Sequence, residues 1–209
     1  MMFSVIVPAH NSASYIHKCL ESIRQQSFHD YELIVVCDRC NDDTEAIAKM
    51  HKARTECVNY GRDGLTRDKG LSMATGDWIL FCDDDDWFLH EFCFQQLAYQ
   101  IGGLTDDVGV LGFGYICKGK GYIEPSEDTI FSAGTAHVWS NAWRRKAVIG
   151  SKFGDAVFCS DTYFIRDANR RIKRYELFNM PIYYYNFKRP GSQTDLLIQG
   201  KIRQSPVAR

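Results

Sequence analysis

Four consecutive carboxylates, Asp83, Asp84, Asp85 and Asp86, follow the apolar run Ile79, Leu80, Phe81 with only Cys82 between. Like charges at that spacing oppose one another's ionisation and weaken a fold that offers no counter-charge. A divalent cation resolves the conflict, because Mg²⁺ and Mn²⁺ prefer carboxylate oxygen and share it with substrate phosphates. An isolated acidic run is more often a solvated turn. The elements around it decide between the two readings.

Those elements alternate. Residues 3–8 form a short Val- and Ile-rich run stopped by Pro8, and Asn11 and Ser12 are good helix caps. Tyr15, Ile16, Cys19, Leu20 and Ile23 recur at helical spacing. Residues 31–37 (YELIVVC) read as the next strand, and Asp42, Asp43 and Thr44 cap a helix running to Met50. A third strand at 56–60, a helix at 64–75 and a fourth strand at 78–82 complete the series. Strands that are apolar throughout and alternate with helices imply a parallel sheet covered on both faces. Ligands of such sheets sit beyond the carboxyl ends of the strands, near a reversal of strand order. Residues 8–11, 37–40 and 83–86 are those ends, so the acidic run falls where an α/β protein places its site.

The second half is less regular. It reads as a long strand at 107–118, a loop or hairpin at 120–132, helices at 138–148 and 160–171, strand pieces at 174–188 and a polar, mobile tail from Gly191. The expected fold class is α/β, one domain, with a regular half at 1–106 and a less regular half at 107–209.

A net charge of −1, with 45% hydrophobic and 24% charged residues, gives no global attraction to nucleic acid or anionic membrane. The first residues lack a basic segment and a long apolar run, and no stretch approaches a membrane span. The expectation is a cytoplasmic protein, with peripheral association at the membrane left open. Eight cysteines are scattered, several within apolar runs, so they read as packing thiols. Cys37 and Cys40 form a C-x-x-C, but no second closely spaced pair completes a zinc tetrahedron.

With the elements placed, the sequence resembles the GT-A glycosyltransferases of family 2, inverting enzymes that use nucleotide-activated sugars. FSVIVPAHN is similar to the family's opening strand and turn, and GLTRDKGLSMATGDWILFCDDDDW follows its pattern through the metal motif. SDTYFIR and YNFKRPGSQT match later motifs more loosely. The resemblance implies a GT-A, mostly parallel sheet, an Mn²⁺ or Mg²⁺ cofactor, a nucleoside diphosphate sugar donor, UDP-linked by preference, and a hydroxyl-bearing glycan or glycoconjugate acceptor. It assigns Asp83 and Asp85 to the metal, with Asp85 in direct contact, and Asp84 to the ribose. Pro8, Ala9, His10 and Asn11 become the turn that cradles the nucleoside, Asp38 the acceptor of a hydrogen bond from the base, Arg67 and Asp68 a pair near the nucleotide, and Asp161 the general base.

The chain departs from the family pattern in places. Cys37, Asp38, Arg39 and Cys40 stand where Asp-Asp-Gly-Ser is usual, Asp68 replaces Asn, and no His follows His137. Competing readings are simple: Asp161 caps its helix, Arg67 pairs with a surface acid, Asp86 caps a following helix, and His90 lies on a helix face. Two other functions compete as well. A nucleotidyltransferase would open with a Gly- and Arg-rich first loop, absent from Pro8-Ala9-His10-Asn11. A non-catalytic nucleotide-sugar binder would keep Asp38 and Asp85 without needing a base.

Overall fold

The computed structural model describes residues 1–132, 136–155, 160–190 and 192–200 of the 209-residue chain. In chain order the elements are β1 (Phe3–Ala9), α1 (Ile16–Arg24), β2 (Tyr31–Asp38), α2 (Thr44–Met50), β3 (Arg54–Val58), α3 (Asp63–Met73) and β4 (Trp78–Phe81). There follow β5 (Trp87–Phe88), α4 (Cys93–Gly102), β6 (Val108–Cys117), β7 (Gly121–Ile123) and α5 (Glu127–Phe131). A 3₁₀ turn (Val138–Ser140), β8 (Asn141–Arg144), α6 (Arg145–Val148), α7 (Ser160–Asn169), β9 (Arg174–Tyr185) and α8 (Gln193–Ile198) complete the elements of the described residues.

One sheet holds every strand, in the order β3-β2-β1-β4-β8-β6-β9-β5, with β7 paired to β6. The strands of the first half, β1 to β4, are mutually parallel. All seven residues of β1 and all four of β4 are buried, as expected of strands sandwiched between helices. From β1 the chain adds β2 and β3 on one side and β4 on the other, so strand order reverses between β1 and β4. That reversal opens the crevice. Helix α3 lies close to β1 and β2 because of Gly70: a Cβ there would stand 2.4 Å from Ile6 Cγ2.

The second half mixes directions. Strand β8 is antiparallel to both β4 and β6, while β6 and β9 run parallel. The helix expected over 138–148 is replaced by the 3₁₀ turn, β8 and a single turn of α6. Val138, Trp139, Ala142 and Trp143 have helical spacing, but the slot between β4 and β6 gives the backbone of 141–144 a ladder on each side, which outweighs the local pattern. The hairpin expected at 120–132 contributes one short strand, β7, and then α5, whose N-terminus is closed by a Ser126–Thr129 capping box. The tail expected to be mobile forms α8 over its described part, and 201–209 lie outside the described residues.

Trp143, Phe81, Phe153 and Phe164 pack into one aromatic cluster, with Phe153 and Phe164 stacked at 4.3 Å. It joins β4, β8 and α7 beneath the crevice. No helix among the described residues is long and apolar enough to cross a membrane.

Candidate active site

A cavity of about 520 Å³ opens beyond the carboxyl ends of β1, β2 and β4. Pro8, Ala9 and His10 from the end of β1 form part of its wall, Asp38 stands at the end of β2, and Asp83, Asp84 and Asp85 follow β4. Its far side comes from the segment after β9: Asn186, Lys188, Arg189 and Ser192. The acidic run is therefore not a solvated turn.

Each of the four acids has a different environment. Asp83 accepts a hydrogen bond from Arg67 Nη2 at 2.6 Å. Its pKa is raised by burial, against the pull of Arg67, and Asp161, Asp85 and Asp63 add to the rise. Asp84 Oδ2 accepts the Ser12 hydroxyl and, at 3.3 Å, the His10 N–H. Burial, followed by the Asp85 charge, pushes it up to about 8. Asp85 Oδ2 accepts from Arg189 Nε at 2.6 Å. Asp86 points the other way, into the core: Tyr183 Oη donates to it at 2.9 Å and the Asn186 N–H at 2.8 Å. Strand β5 follows Asp86 directly and α4 begins only at Cys93, so Asp86 caps no helix; it anchors the acidic turn to the end of β9.

Asp38 is buried and its carboxylate accepts from the Tyr60, Gly61 and Arg62 N–H groups and the Thr66 hydroxyl at 2.8–3.2 Å. Burial alone raises a carboxyl, but these bonds outweigh it and the pKa lies below the ordinary value. Gly61, at φ +60°, makes the bend that aims the three N–H groups at one side chain. The hydrogen bond to a base expected of Asp38 thus competes with four donors already in place. His10 Nδ1 contacts the Asp38 carbonyl oxygen at 2.6 Å, fixing the ring across the gap between β1 and β2. Asn11 does not line the cavity. At φ 48° it turns its Oδ1 toward the Asn41 N–H, a strut between two loops.

Arg67 is buried on α3 and joined to Asp63 and Asp83. It is no surface helix residue. Burial opposes its charge, yet the acids, Asp63 first, raise its pKa, and Nε has no hydrogen-bond partner. Its neighbour Asp68 lies outside the cavity lining. The Asp68 carboxylate accepts the Phe153 and Gly154 N–H groups at 3.0 and 3.2 Å, holding the loop that leads toward α7 against α3. Asp161 sits in the first turn of α7, its Oδ2 accepting the Val138 N–H at 3.1 Å. Its charge reaches Arg67 and Asp83, although it is not itself part of the cavity wall. The Ser160 hydroxyl donates to Asp63 at 2.7 Å, tying the start of α7 to α3.

His90 precedes α4, and its Nδ1 accepts the Phe92 N–H at 3.2 Å. Cys37 is buried and Cys40 half-buried, with Cys40 Sγ 3.5 Å from the Ala9 carbonyl oxygen; all seven described cysteines are thiols. Sequence reasoning missed Arg189, Tyr15 and Lys188 as cavity residues. Arg189 lies in the late YNFKRPGSQT motif, which was the signal available, and its guanidinium stands 4.0 Å above the Tyr15 ring.

The family profile described as Glycosyl transferase family 2 matches residues 4–186. The chain belongs to that family. Among curated relatives, a putative glycosyltransferase EpsH of Bacillus subtilis is 36% identical over 109 residues, which is 49% of this chain and 31% of the relative. The poly(ribitol-phosphate) β-N-acetylglucosaminyltransferase TarP of Staphylococcus aureus is 32% identical over 139 residues, 63% of this chain and 41% of that one. The matched regions thus span well under half of these relatives. The solved structure of S. aureus TarS 1–349 in complex with UDP-GlcNAc superposes with a TM-score of 0.77 at 24% identity, covering 93% of this chain and 61% of that one. Glucosyl-3-phosphoglycerate synthase from Mycobacterium tuberculosis, solved with Mn²⁺, UDP and glucosyl-3-phosphoglycerate, gives 0.64 at 17% identity, covering 94% and 77%. At these identities the superpositions establish the fold, an α/β sheet of the GT-A kind.

Proposed function

We propose that this family 2 member is a metal-dependent inverting glycosyltransferase that moves a sugar from a nucleoside diphosphate, UDP by preference, to a hydroxyl of a glycan or glycoconjugate. The observation that carries the reading is the meeting of two opposite charge groups in one cavity: Asp83, Asp84 and Asp85 on the β4 side, Lys188 and Arg189 on the β9 side. A diphosphate with a divalent cation matches both groups at once, anion to the basic side and cation to the acids. Asp84, pushed up to about 8 first by burial and then by the Asp85 charge, is a carboxyl whose ionisation such a cation would favour. The solved relatives bound to UDP-GlcNAc and to Mn²⁺ with UDP support the same choice of ligands.

In this reading Asp83 and Asp85 hold Mn²⁺ or Mg²⁺, which supplies Lewis-acid stabilisation of the departing diphosphate. Arg189 and Lys188 donate to phosphate oxygens, and Pro8, Ala9, His10 and the 60–62 loop held by Asp38 enclose the nucleoside. Asp84 faces the ribose. Asp161 takes the proton of the acceptor hydroxyl as the new bond forms, since a hydroxyl is too weak a nucleophile unaided. Attack opposite the leaving group inverts the anomeric carbon, so no protein nucleophile is needed. Residues 1–106 then serve chiefly the donor and 107–209 the acceptor. Thiols throughout the described cysteines suit a reducing, cytoplasmic setting, and the poly(ribitol-phosphate) β-N-acetylglucosaminyltransferases among the relatives support a hydroxyl-bearing polymer as acceptor.

Calorimetry of UDP binding with Mn²⁺ and with chelator, on the wild type and Asp85→Asn, tests the reading. Binding that needs Mn²⁺ and is lost in the variant is expected. Equal affinity with and without the ion would sink the metal-dependent reading.

A further inference from the structure

On the outer side of α1, away from the acidic turn, two imidazoles and a carboxylate converge. His17 and Glu21 lie one helical turn apart on α1, and His51 caps the C-terminal end of α2. His51 Nε2 stands 2.9 Å from His17 Nδ1, and Glu21 Oε2 is 3.8 Å from His51 Nδ1. One ligand atom from each of the three lies within 4.8 Å of the others. His17 is exposed, Glu21 partly so, and His51 buried, so the cluster has one wall in the protein and one face open to solvent.

We propose that His17, Glu21 and His51 form a second metal site, selective for a borderline ion such as Zn²⁺, that clamps α1 to α2 independently of the donor site. Two imidazoles and a carboxylate are a common three-ligand set for Zn²⁺, with a water in the fourth position. Metal–nitrogen bonds of about 2.0–2.1 Å in a tetrahedron put the two nitrogens roughly 3.3 Å apart, so the 2.9 Å pair has to open by only about 0.4 Å. The exposed His17 ring can make that adjustment. Glu21 Oε1 is engaged by Gln25 Nε2 at 2.7 Å, while Oε2 stands on the Nδ1 side of the His51 ring, so the carboxylate has to turn toward Nε2 to complete the set.

The two helices so joined also carry the loops behind the cavity. The Ser12 N–H, ahead of α1, donates to Thr44 Oγ1 at the start of α2 at 2.7 Å, and the Ser12 hydroxyl donates to Asp84. A clamp between the N-terminal half of α1 and the C-terminal end of α2 therefore stiffens the pair that supports the acidic turn.

The test is titration of Co²⁺ and Zn²⁺ into the full chain, comparing wild type, His17→Gln, Glu21→Gln and Asp85→Asn. Expected are one Co²⁺ equivalent with the intense d–d bands of a tetrahedral N/O site, distinct from the weak bands of any ion on the donor carboxylates, no thiolate charge-transfer band, a Zn²⁺-dependent rise in melting temperature, and both retained in Asp85→Asn. His17→Gln changes an exposed side chain, so it folds, and affinity should fall by more than about 100-fold, beyond what loss of an outer-shell partner causes. Unchanged binding in His17→Gln, a thiolate band that places the ion on cysteine, or loss of the signal in Asp85→Asn would each overturn the proposal. The last would assign the ion to the donor site, so failure here is separable from failure of the glycosyltransferase reading.

Discussion

Arg189 Nε stands 2.6 Å from Asp85 Oδ2, with its guanidinium over the Tyr15 ring. A cation from the segment after β9 thus sits on the carboxylate to which the metal is assigned. Burial opposes the Arg189 charge, but Asp85 outweighs it and holds the guanidinium's pKa above its ordinary value. On the proposed reading a metal at Asp85 would compete with Arg189 for one carboxylate, and a bound diphosphate would give the displaced guanidinium a new partner.

Two opposite effects should follow from Arg189→Ala. Mn²⁺ alone binds more tightly, because its competitor is gone, while UDP in saturating Mn²⁺ binds about 10- to 100-fold more weakly through loss of a charge-assisted contact. Paired titrations measure both. Weaker Mn²⁺ binding in the variant would show that Arg189 assists the ion.

Asp161→Asn separates a proton acceptor from a structural side chain. The amide oxygen still accepts the Val138 N–H, so the fold and UDP affinity stay near wild type. Transfer to an acceptor should fall by about 10²- to 10⁴-fold, the usual share of acid–base catalysis. An unchanged kcat would leave Asp161 as a bracket for the 3₁₀ turn and move the base elsewhere, to the exposed Asp155 first.

Metal-free stability should decline as pH rises. Asp84, pushed up to about 8, keeps its proton in the folded state while the unfolded carboxyl, near 3.9, has lost it. Between those values the folded state binds more protons, so unfolding free energy falls with pH. Melting temperatures in chelator should drop by several degrees across that window, at about 2–4 °C per kcal/mol for a chain of this size. Mn²⁺ with UDP should flatten the slope. A rising curve between pH 5 and 8 in chelator would contradict the assigned environment.

Asp68→Ala should destabilise the protein without touching the donor. It strands the Phe153 and Gly154 N–H groups, at about 1–3 kcal/mol for buried donors left unpaired. Denaturant unfolding should show that loss, with UDP affinity per folded molecule unchanged. Selective loss of UDP affinity at full stability would restore Asp68 to the nucleotide site.

The first half of the fold was legible because buried parallel strands write themselves as unbroken apolar runs, and β1, β2 and β4 are such runs. The acidic turn was legible by its position after β4. Strand β8 was not, since its pairing depends on β4 and β6, which no local window contains. Arg189 was hidden for a similar reason: a lone basic residue in a polar segment has no pattern, and its acid lies 104 positions earlier. Asp86 looked like a cap because its true partners, Tyr183 and the Asn186 N–H, come from the far end of the chain. Asp68 read as a nucleotide residue by correspondence, while its actual acceptor role is set by the 153–154 loop.

The Tyr183 hydroxyl accepts the Asp83 N–H at 3.0 Å and donates to Asp86, so it grips the acidic turn at both ends. The shape of the turn near residue 85, to which donor chemistry is assigned in the proposed function, is therefore set by a strand encoded a hundred residues later. A chimera that joins residues 1–106 to another transferase's acceptor half imports a foreign grip on that turn. On the proposed reading, donor and acceptor preferences would be exchangeable only as a unit that carries Tyr183 and Asn186 with it.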